Sequence, residues 1–326
     1  MKRALIVGID QYPQNPLSGC VNDAIAMQAI LERNDDASPN MHCRLLTSES
    51  GPITRSSLRA ALVQLFSEKA ELALFYFAGH GIHVTYSGGY LVTSDMTADE
   101  PGVGMQDVLN WANEMAGKAG IPEVVIILDC CDSGAFGQVS AIGDEKVVLR
   151  EGVSILTSSG PHQPSKENGG RGLFTQLVCD ALSGGAADVR GEVNVASIYS
   201  YCDEVLGAWD QRPRFKANVS TLTEIRLCNP QVDLDILRNI TTYFPKPDYI
   251  FPLDPTYEPD KSKLPPGSEV NKEHELIFGH LQSYRNARLL VPIGAEHMYY
   301  AATESRSCTL TPLGQHYWSR VKTNKI

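Results

Sequence analysis

Two apolar segments of this chain end abruptly in residues that carry chemistry. Residues 72–77 are followed by Ala-Gly-His-Gly, which contains His80, and residues 124–128 are followed by Asp-Cys-Cys-Asp-Ser-Gly, which contains Cys131. Apolar runs bounded by glycine are typical of strands buried in a parallel sheet, and open parallel sheets carry their active sites at the carboxyl ends of their strands. The sequence therefore predicts an imidazole and a thiol at one edge of a sheet.

Strand and helix patterns alternate along the first two thirds of the chain. The sequence predicts strands at residues 4–9, 44–47, 72–77, 124–128 and 153–157, and helices at 22–34, 53–70, 108–118, 173–182 and 195–208. This alternation predicts an α/β fold, with a mostly parallel sheet between two layers of helices. An edge strand at 222–227 is expected to close this domain, which we place at residues 1–229.

The composition changes after this domain. Residues 243–268 are dense in proline and charge, which predicts a linker or strap over residues 230–269. Residues 270–326 predict a small α+β module with a helix at 273–288 and a strand at 298–302. Its Leu-Thr-Pro-Leu-Gly run resembles the wing and closing helix of winged-helix domains. Because the module lacks a dense Lys/Arg face, we expect it to bind protein rather than DNA.

Bulk properties narrow the class further. The 326 residues carry a net charge of −10 with an isoelectric point near 5.3, which argues against binding to nucleic acid or to anionic membranes. No apolar segment is long enough for a transmembrane helix and no signal peptide precedes the first strand, so we expect a cytoplasmic protein. The eight cysteines include no Cys-x-x-Cys pair, which predicts neither a zinc site nor a disulfide framework.

Three segments resemble the landmark motifs of metacaspases and prokaryotic caspase homologues. They are Leu-Ser-Gly-Cys-Val-Asn-Asp-Ala at residues 17–24, Tyr-Phe-Ala-Gly-His-Gly at 76–81 and Asp-Cys-Cys-Asp-Ser-Gly at 129–134. A histidine about 50 residues ahead of the cysteine is typical of caspases. The resemblance extends to about residue 227 and implies a caspase-like cysteine peptidase.

The resemblance assigns chemical roles to three residues. Cys131 is the expected nucleophile, and His80 is the base that takes the thiol proton and returns it to the leaving amine. Backbone N–H groups at Gly81 and Cys131 form the expected oxyanion hole. Either side chain alone also fits a packed cysteine or a loop histidine, whereas both at strand ends favour catalysis. The neighbouring Cys130 points the other way on an extended segment, so we expect it in the core.

The same resemblance predicts the pocket for the residue before the scissile bond. Metacaspases line it with a cysteine and two aspartates, and the matching positions are Cys20, Asp23 and Asp129. Two desolvated carboxylates facing one site favour a cationic substrate side chain and exclude an acidic one, which predicts cleavage after Arg or Lys. An alternative role for Asp23 is the amino-terminal cap of the predicted helix at 22–34.

Two further family properties have candidate residues. Lys146 and Arg150 follow the catalytic strand, where relatives are matured by cleavage after a basic residue; they also fit the charges of a solvated loop.

Many metacaspases need calcium. The candidates Asp95, Asp99 and Asp144 match no calcium-binding loop, so we expect no metal or other cofactor.

We therefore expect a caspase-like cysteine endopeptidase that cleaves proteins after Arg or Lys and recruits a substrate or an activating protein partner through residues 270–326. The resemblance implies a regulated effector in prokaryotic stress or antiviral defence. One alternative is a non-catalytic adaptor that acts through the carboxy-terminal module. Another is a transcriptional regulator that uses this module on DNA, against which the acidic charge balance weighs.

Overall fold

The computed structural model describes residues 1–84, 87–116, 121–130, 148–158, 167–168, 171–206, 212–263 and 270–326. Three residues singled out above, Cys131, Asp144 and Lys146, lie outside this description.

The described chain divides into two compact units. The first comprises Met1–Ala187 and Glu192–Asn229, and the second comprises Asp188–Gly191 and Pro230–Ile326. Apart from the four-residue segment Asp188–Gly191, the first unit ends at the residue where the sequence analysis ended its first domain.

Strands and helices alternate through most of the first unit. Its elements are β1 (Lys2–Gly8), α1 (Cys20–Leu31), β2 (Met41–Thr47), α2 (Arg55–Ser67), β3 (Leu72–Ala78), β4 (Gly81–Val84), β5 (Gly88–Val92), β6 (Gly102–Gly104), α3 (Met105–Met115), β7 (Glu123–Asp129), β8 (Val153–Thr157), β9 (Glu167–Asn168), β10 (Arg171–Gly172), α4 (Leu173–Asp180), β11 (Glu192–Val193), α5 (Val195–Leu206), β12 (Arg214–Asn218) and β13 (Arg226–Leu227).

The main sheet has six strands in the order β12-β8-β7-β3-β1-β2. Five of them, from β8 to β2, run parallel to one another, and β12 pairs antiparallel with β8 at one edge. Every residue of β3 and β7 is buried, because both faces of the sheet are covered. The predicted mostly parallel α/β sheet is therefore confirmed.

Alternate residues of the strands pack into two apolar clusters, one on each face. Phe75 and Phe77 of β3 belong to the cluster that includes Leu62 of α2 and Val108 of α3. Tyr76 belongs to the cluster that α1, α4 and α5 cover. Because side chains alternate along a strand, the residues that end β3 and β7 are directed to one face or the other by their position alone.

The edge strand lies elsewhere than the sequence predicted. The strand expected at 222–227 is restricted to β13, which pairs antiparallel with β11 in a separate two-stranded sheet. The edge of the main sheet is β12, which contains Arg214 and Lys216. Its residues alternate between charged and less polar side chains, which suits a strand that pairs on one side only.

At the edge of the sheet where β3 and β7 end, backbone hydrogen bonds continue past the last strand residues. The N–H of Ile9 donates to the carbonyl oxygen of Ala78 at 3.0 Å, and the N–H of Gly79 donates to that of Asp129 at 3.3 Å. His80 follows directly, and β4 begins at Gly81. The chain leaving β3 is therefore tied to both neighbouring strands before it turns into the small sheet β4-β5-β6, which the sequence analysis did not predict.

The second unit has its own sheet and core. Its elements are α6 (Leu234–Arg238), α7 (Ile240–Tyr243), β14 (Ile250–Pro252), α8 (Lys272–Asn286), β15 (Leu290–Ile293), α9 (Met298–Thr303), β16 (Ser307–Leu310) and α10 (Pro312–Lys322). The three strands form an antiparallel sheet in the order β14-β16-β15.

The structure corrects the boundary of the carboxy-terminal module. Residues 230–269 were expected to be a linker, yet α6, α7 and β14 lie within this range, and β14 pairs with β16. Phe244 and Leu253 are buried in the core of the second unit. Proline did not prevent this, because β14 is an edge strand, where a missing N–H does not break a ladder.

A second correction concerns residues 298–302, which were expected to form a strand. They form α9, whose Met298, Ala301 and Ala302 are buried at the spacing of one helical face. The likeness to winged-helix domains stays a prediction.

None of the helices in the described ranges combines the length and the apolar character needed to span a membrane.

A truncation tests the corrected boundary. A chain that ends at Asn229 removes most of the second unit, whereas a chain that ends at Lys263 keeps β14 without its partner β16 and exposes Phe244 and Leu253. We expect the shorter chain to be monomeric and the longer chain to aggregate, as measured by size-exclusion chromatography with light scattering. Equal behaviour of the two chains would show that residues 230–263 are a linker after all.

Candidate active site

His80 is held by two hydrogen bonds from one loop. The Nε2 atom of its half-buried ring lies 2.6 Å from the carbonyl oxygen of Asn15. The backbone N–H of His80 donates to the hydroxyl oxygen of Tyr12 at 2.9 Å. Because a carbonyl oxygen only accepts, this contact assigns the proton of a neutral ring to Nε2. Nδ1 is then the nitrogen that accepts a proton.

The loop between β1 and α1 is itself anchored. The carboxylate of Asp10 accepts the N–H groups of Cys20 at 2.8 Å and Val21 at 3.2 Å, and the hydroxyl oxygen of Ser48 accepts the N–H of Asp10 at 3.0 Å. Asp10 thus replaces a side-chain cap at the first turn of α1, where Gly19 offers none. Asp10 was not predicted from the sequence, because a cap supplied from ten residues away leaves no local signal.

A close contact between β1 and α1 brings Cys20 and Asp23 to the strand edge. An ideal Cβ at Gly8 would lie 2.4 Å from the carbonyl oxygen of Cys20, so only glycine allows the helix to approach this strand. Both Cys20 and Asp23 are buried, and Asp23 is only 2% exposed.

Asp23 is not the amino-terminal cap of α1, the alternative role considered for it above. The helix begins at Cys20 with Gly19 as its cap residue. The Oδ2 atom of Asp23 instead accepts the N–H of Gly172 at 2.8 Å, which lies far away in the sequence.

Asp129 ends β7 and is 7% exposed. Its Oδ2 atom accepts the hydroxyl of Thr175 at 2.7 Å and the N–H of Thr175 at 3.3 Å. The hydroxyl of Tyr76 lies 2.6 Å from that of Thr175 and donates to it, since the Thr175 proton is already used. Burial, with the charges of Asp129 and Asp23, holds the pKa of Tyr76 well above its usual value. Thr175 and Tyr76 were not predicted.

Gly172 brings the two carboxylates together. An ideal Cβ at this position would lie 2.4 Å from Oδ2 of Asp129 and 3.0 Å from Oδ2 of Asp23. The two oxygens are therefore no further apart than the sum of these distances. Both accept N–H groups from the start of α4, so the carboxylates also cap that helix, and its dipole stabilises each negative charge.

The remaining predicted residues are distributed as follows. Cys130 is buried in the core beneath the sheet edge, as expected, and Cys131 follows it outside the described residues. Gly81 is the first residue of β4. Arg150 has an exposed side chain, and its backbone N–H donates to Oδ1 of Asn113 at 2.9 Å.

The calcium candidates within the description are not assembled into a site. Asp95 accepts the hydroxyl of Thr93 at 2.7 Å and the N–H of Arg55 at 2.9 Å. Burial acts to raise its pKa, but these hydrogen bonds outweigh burial and hold the pKa below its ordinary value. Within the described ranges, no three His, Cys, Asp or Glu side chains are grouped as metal ligands.

The candidate site thus combines a histidine that follows one parallel strand, β3, with a buried aspartate pair between the neighbouring strand β7 and the helices α1 and α4. The family profile described as the caspase domain matches residues 1–219, about two thirds of the chain. The chain therefore belongs to the caspase-domain family.

Two solved structures are similar in fold. Protein GSU0716 from Geobacter sulfurreducens is 16% identical with a TM-score of 0.51, over 70% of this chain and 99% of that chain. Caspase-1 from Spodoptera frugiperda is 13% identical with a TM-score of 0.50, over 72% of this chain and 92% of that chain. At these identities the likeness concerns the fold alone. No curated protein matches the chain.

The steric role of Gly172 is testable without any activity. Its φ of −68° suits any residue, so Gly172→Ala should destabilise the first unit through the clash of the new Cβ with the carboxylates of Asp129 and Asp23, by about 1–3 kcal/mol. Gly279→Ala is the matched control, because a Cβ in that part of α8 meets nothing within 4 Å and alanine favours a helix. Denaturant unfolding in which the two variants behave alike would contradict the close approach.

Proposed function

We propose that this chain is a cysteine endopeptidase in which Cys131 is the nucleophile and His80 is the general base and acid. The observation that carries the proposal is the bond between Nε2 of His80 and the carbonyl oxygen of Asn15, because it makes Nδ1 available as a base at the edge of the sheet. Family membership supports the choice of cysteine as its partner.

The reaction follows from these roles. Nδ1 of His80 takes the thiol proton, and the Cys131 sulfur attacks the carbonyl carbon of the scissile bond. The developing oxyanion is stabilised by the N–H groups of Gly81 and Cys131. The imidazolium then protonates the leaving amine as the C–N bond breaks. Water, deprotonated by His80, hydrolyses the thioester and regenerates the thiol.

We propose that the substrate side chain before the scissile bond is Arg or Lys. Asp23 and Asp129 are buried, and a Cβ at Gly172 would lie 3.0 Å from Oδ2 of the first and 2.4 Å from Oδ2 of the second. Cys20 and Asp23 both lie on the first turn of α1. A guanidinium or ammonium group would offset the repulsion between the two carboxylates, whereas an aspartate side chain would add a third negative charge.

We further propose that the second unit recruits a protein substrate or an activating partner. The indole N–H of Trp318 donates to the carbonyl oxygen of Phe244 at 2.6 Å, and Tyr317 is buried with its hydroxyl 3.2 Å from Oδ2 of Asp188. These side chains therefore stabilise the unit itself. Tyr300, which is 46% exposed, is the better candidate for contact with a partner. The resemblance to prokaryotic homologues supports a regulated role in stress or antiviral defence.

Maturation by self-cleavage is also part of this proposal. Cleavage after Arg150 would have a structural cost. The carbonyl oxygen of Arg150 accepts the N–H of Val153 at 3.3 Å in the turn that leads into β8. Cleavage after Arg150 thus requires local opening of this turn.

The dyad is tested with fluorogenic peptides that end in Arg, Lys or Asp, with and without calcium. Cys131→Ala and His80→Ala should each abolish cleavage, and the double variant should be little worse than either, because the two act as one unit. Cys130→Ala is the matched control: it removes a neighbouring buried thiol and should keep activity. Cleavage by Cys131→Ala would overturn the assignment, and inactivity of the wild type on every peptide would favour the adaptor.

The acidic pocket makes a separate prediction about specificity. Asp129→Asn and Asp23→Asn keep the side-chain shape but remove a buried charge, so cleavage after Arg and Lys should fall about 30-fold, the equivalent of about 2 kcal/mol. Asp36→Asn, on an exposed turn, should change nothing. The kcat/KM values for all three peptides decide the matter. Preference of the wild type for Asp would refute the pocket.

A further inference from the structure

We infer that Tyr12 is a positioning residue for His80: its hydroxyl group fixes the backbone from which the imidazole projects. The inference rests on the proposed role of His80 as the base and deepens it.

Tyr12 is in direct contact with both parts of His80. Its hydroxyl oxygen accepts the His80 N–H at 2.9 Å, and the two ring centroids are 4.6 Å apart with a tilt of 53°. Tyr12 is only 7% exposed, and burial holds the pKa of its hydroxyl well above the usual value. The side chain therefore stays a neutral phenol and acts on His80 through geometry rather than by exchanging protons.

The residue before the histidine is glycine because the side chains of Tyr12 and Phe77 leave no room for a Cβ. An ideal Cβ at Gly79 would lie 2.5 Å from the Tyr12 hydroxyl oxygen and 2.9 Å from Cζ of Phe77. A side chain there would push the hydroxyl away from the His80 N–H. The Gly-His pair in the sequence is thus explained by the space that Tyr12 and Phe77 occupy.

Two contacts position His80, and both come from the loop between β1 and α1. Tyr12 holds the main chain and the carbonyl of Asn15 holds Nε2 of the ring. The loop is closed by the hydrogen bond from the N–H of Leu17 to the carbonyl oxygen of Asp10 at 2.9 Å. Because one contact fixes the backbone and the other fixes the ring, loss of the first lets the ring move away from the second. Small misplacements of a catalytic group cost rate rather than substrate affinity.

The test replaces only the hydroxyl. Tyr12→Phe keeps the ring and leaves the His80 N–H without its acceptor. With Arg and Lys peptides, kcat should fall about 10- to 100-fold while KM changes less than about 2-fold. Tyr284→Phe is the control: it removes a buried tyrosine hydroxyl that donates to the backbone carbonyl oxygen of Ile236 in the second unit, and it should leave kcat unchanged.

A second readout does not depend on activity. In the Cys131→Ala background, nitrogen NMR of the His80 ring should show the Nε2–H tautomer in the otherwise unaltered chain and a mixture of tautomers after Tyr12→Phe. If the wild type cleaves no peptide, the proposed function fails, but this measurement still decides whether Tyr12 positions His80. An unchanged tautomer after Tyr12→Phe overturns the inference, whether or not the wild type cleaves a peptide.

A second variant covers the case in which Tyr12→Phe does not fold. Gly79→Ala displaces the hydroxyl from the other side, so it should lower kcat in the same way. Because both changes act on one contact, the double variant should lose less than the product of the two single losses. Losses that multiply fully would show that the two residues act independently, which contradicts the inference.

Discussion

The candidate site depends on the hydrogen bonds that join the ends of three parallel strands. β1, β3 and β7 are buried and end at the same edge, and the bonds from Ile9 to Ala78 and from Gly79 to Asp129 extend their pairing beyond the last strand residues. Since strand positions are fixed by apolar packing on both faces, the residues that follow cannot shift independently. The loop that carries His80 therefore starts from a point fixed relative to Asp129.

Burial of two carboxylates next to this edge costs free energy that the fold must offset. Asp23 and Asp129 accept N–H and O–H groups from the start of α4, and Gly172 leaves the space in which they approach each other. These donors and the helix dipole stabilise each negative charge, but they do not remove the repulsion between the two. The cationic substrate group proposed above would offset this repulsion, which connects the stability of this region to the proposed specificity.

Much of the fold was predictable because its signals are local. Runs such as 72–77 and 124–128 read as buried strands from composition alone, and glycine marked their ends. The edge strand β12 was not predicted, since its alternating charged residues resemble a loop. Strand β14 was not predicted because its proline argues against a strand. Asp10, Tyr12, Thr175 and Tyr76 escaped for another reason. Their roles arise from contacts between distant segments. The sequence alone does not show these contacts, so it gives no reason to single these residues out.

The acidic pair and the imidazole are held in place by different parts of the fold, and the physical consequences differ. The acidic pair is anchored in the core between α1, β7 and α4, so its geometry changes only if the packing of the sheet changes. The imidazole is half-buried and is held by a loop through Tyr12 and Asn15. Loops open at lower free energy than buried strands do. With the roles proposed above, changes in the loop should act on the rate through His80, whereas changes in the acidic pair should act on substrate choice and on stability together.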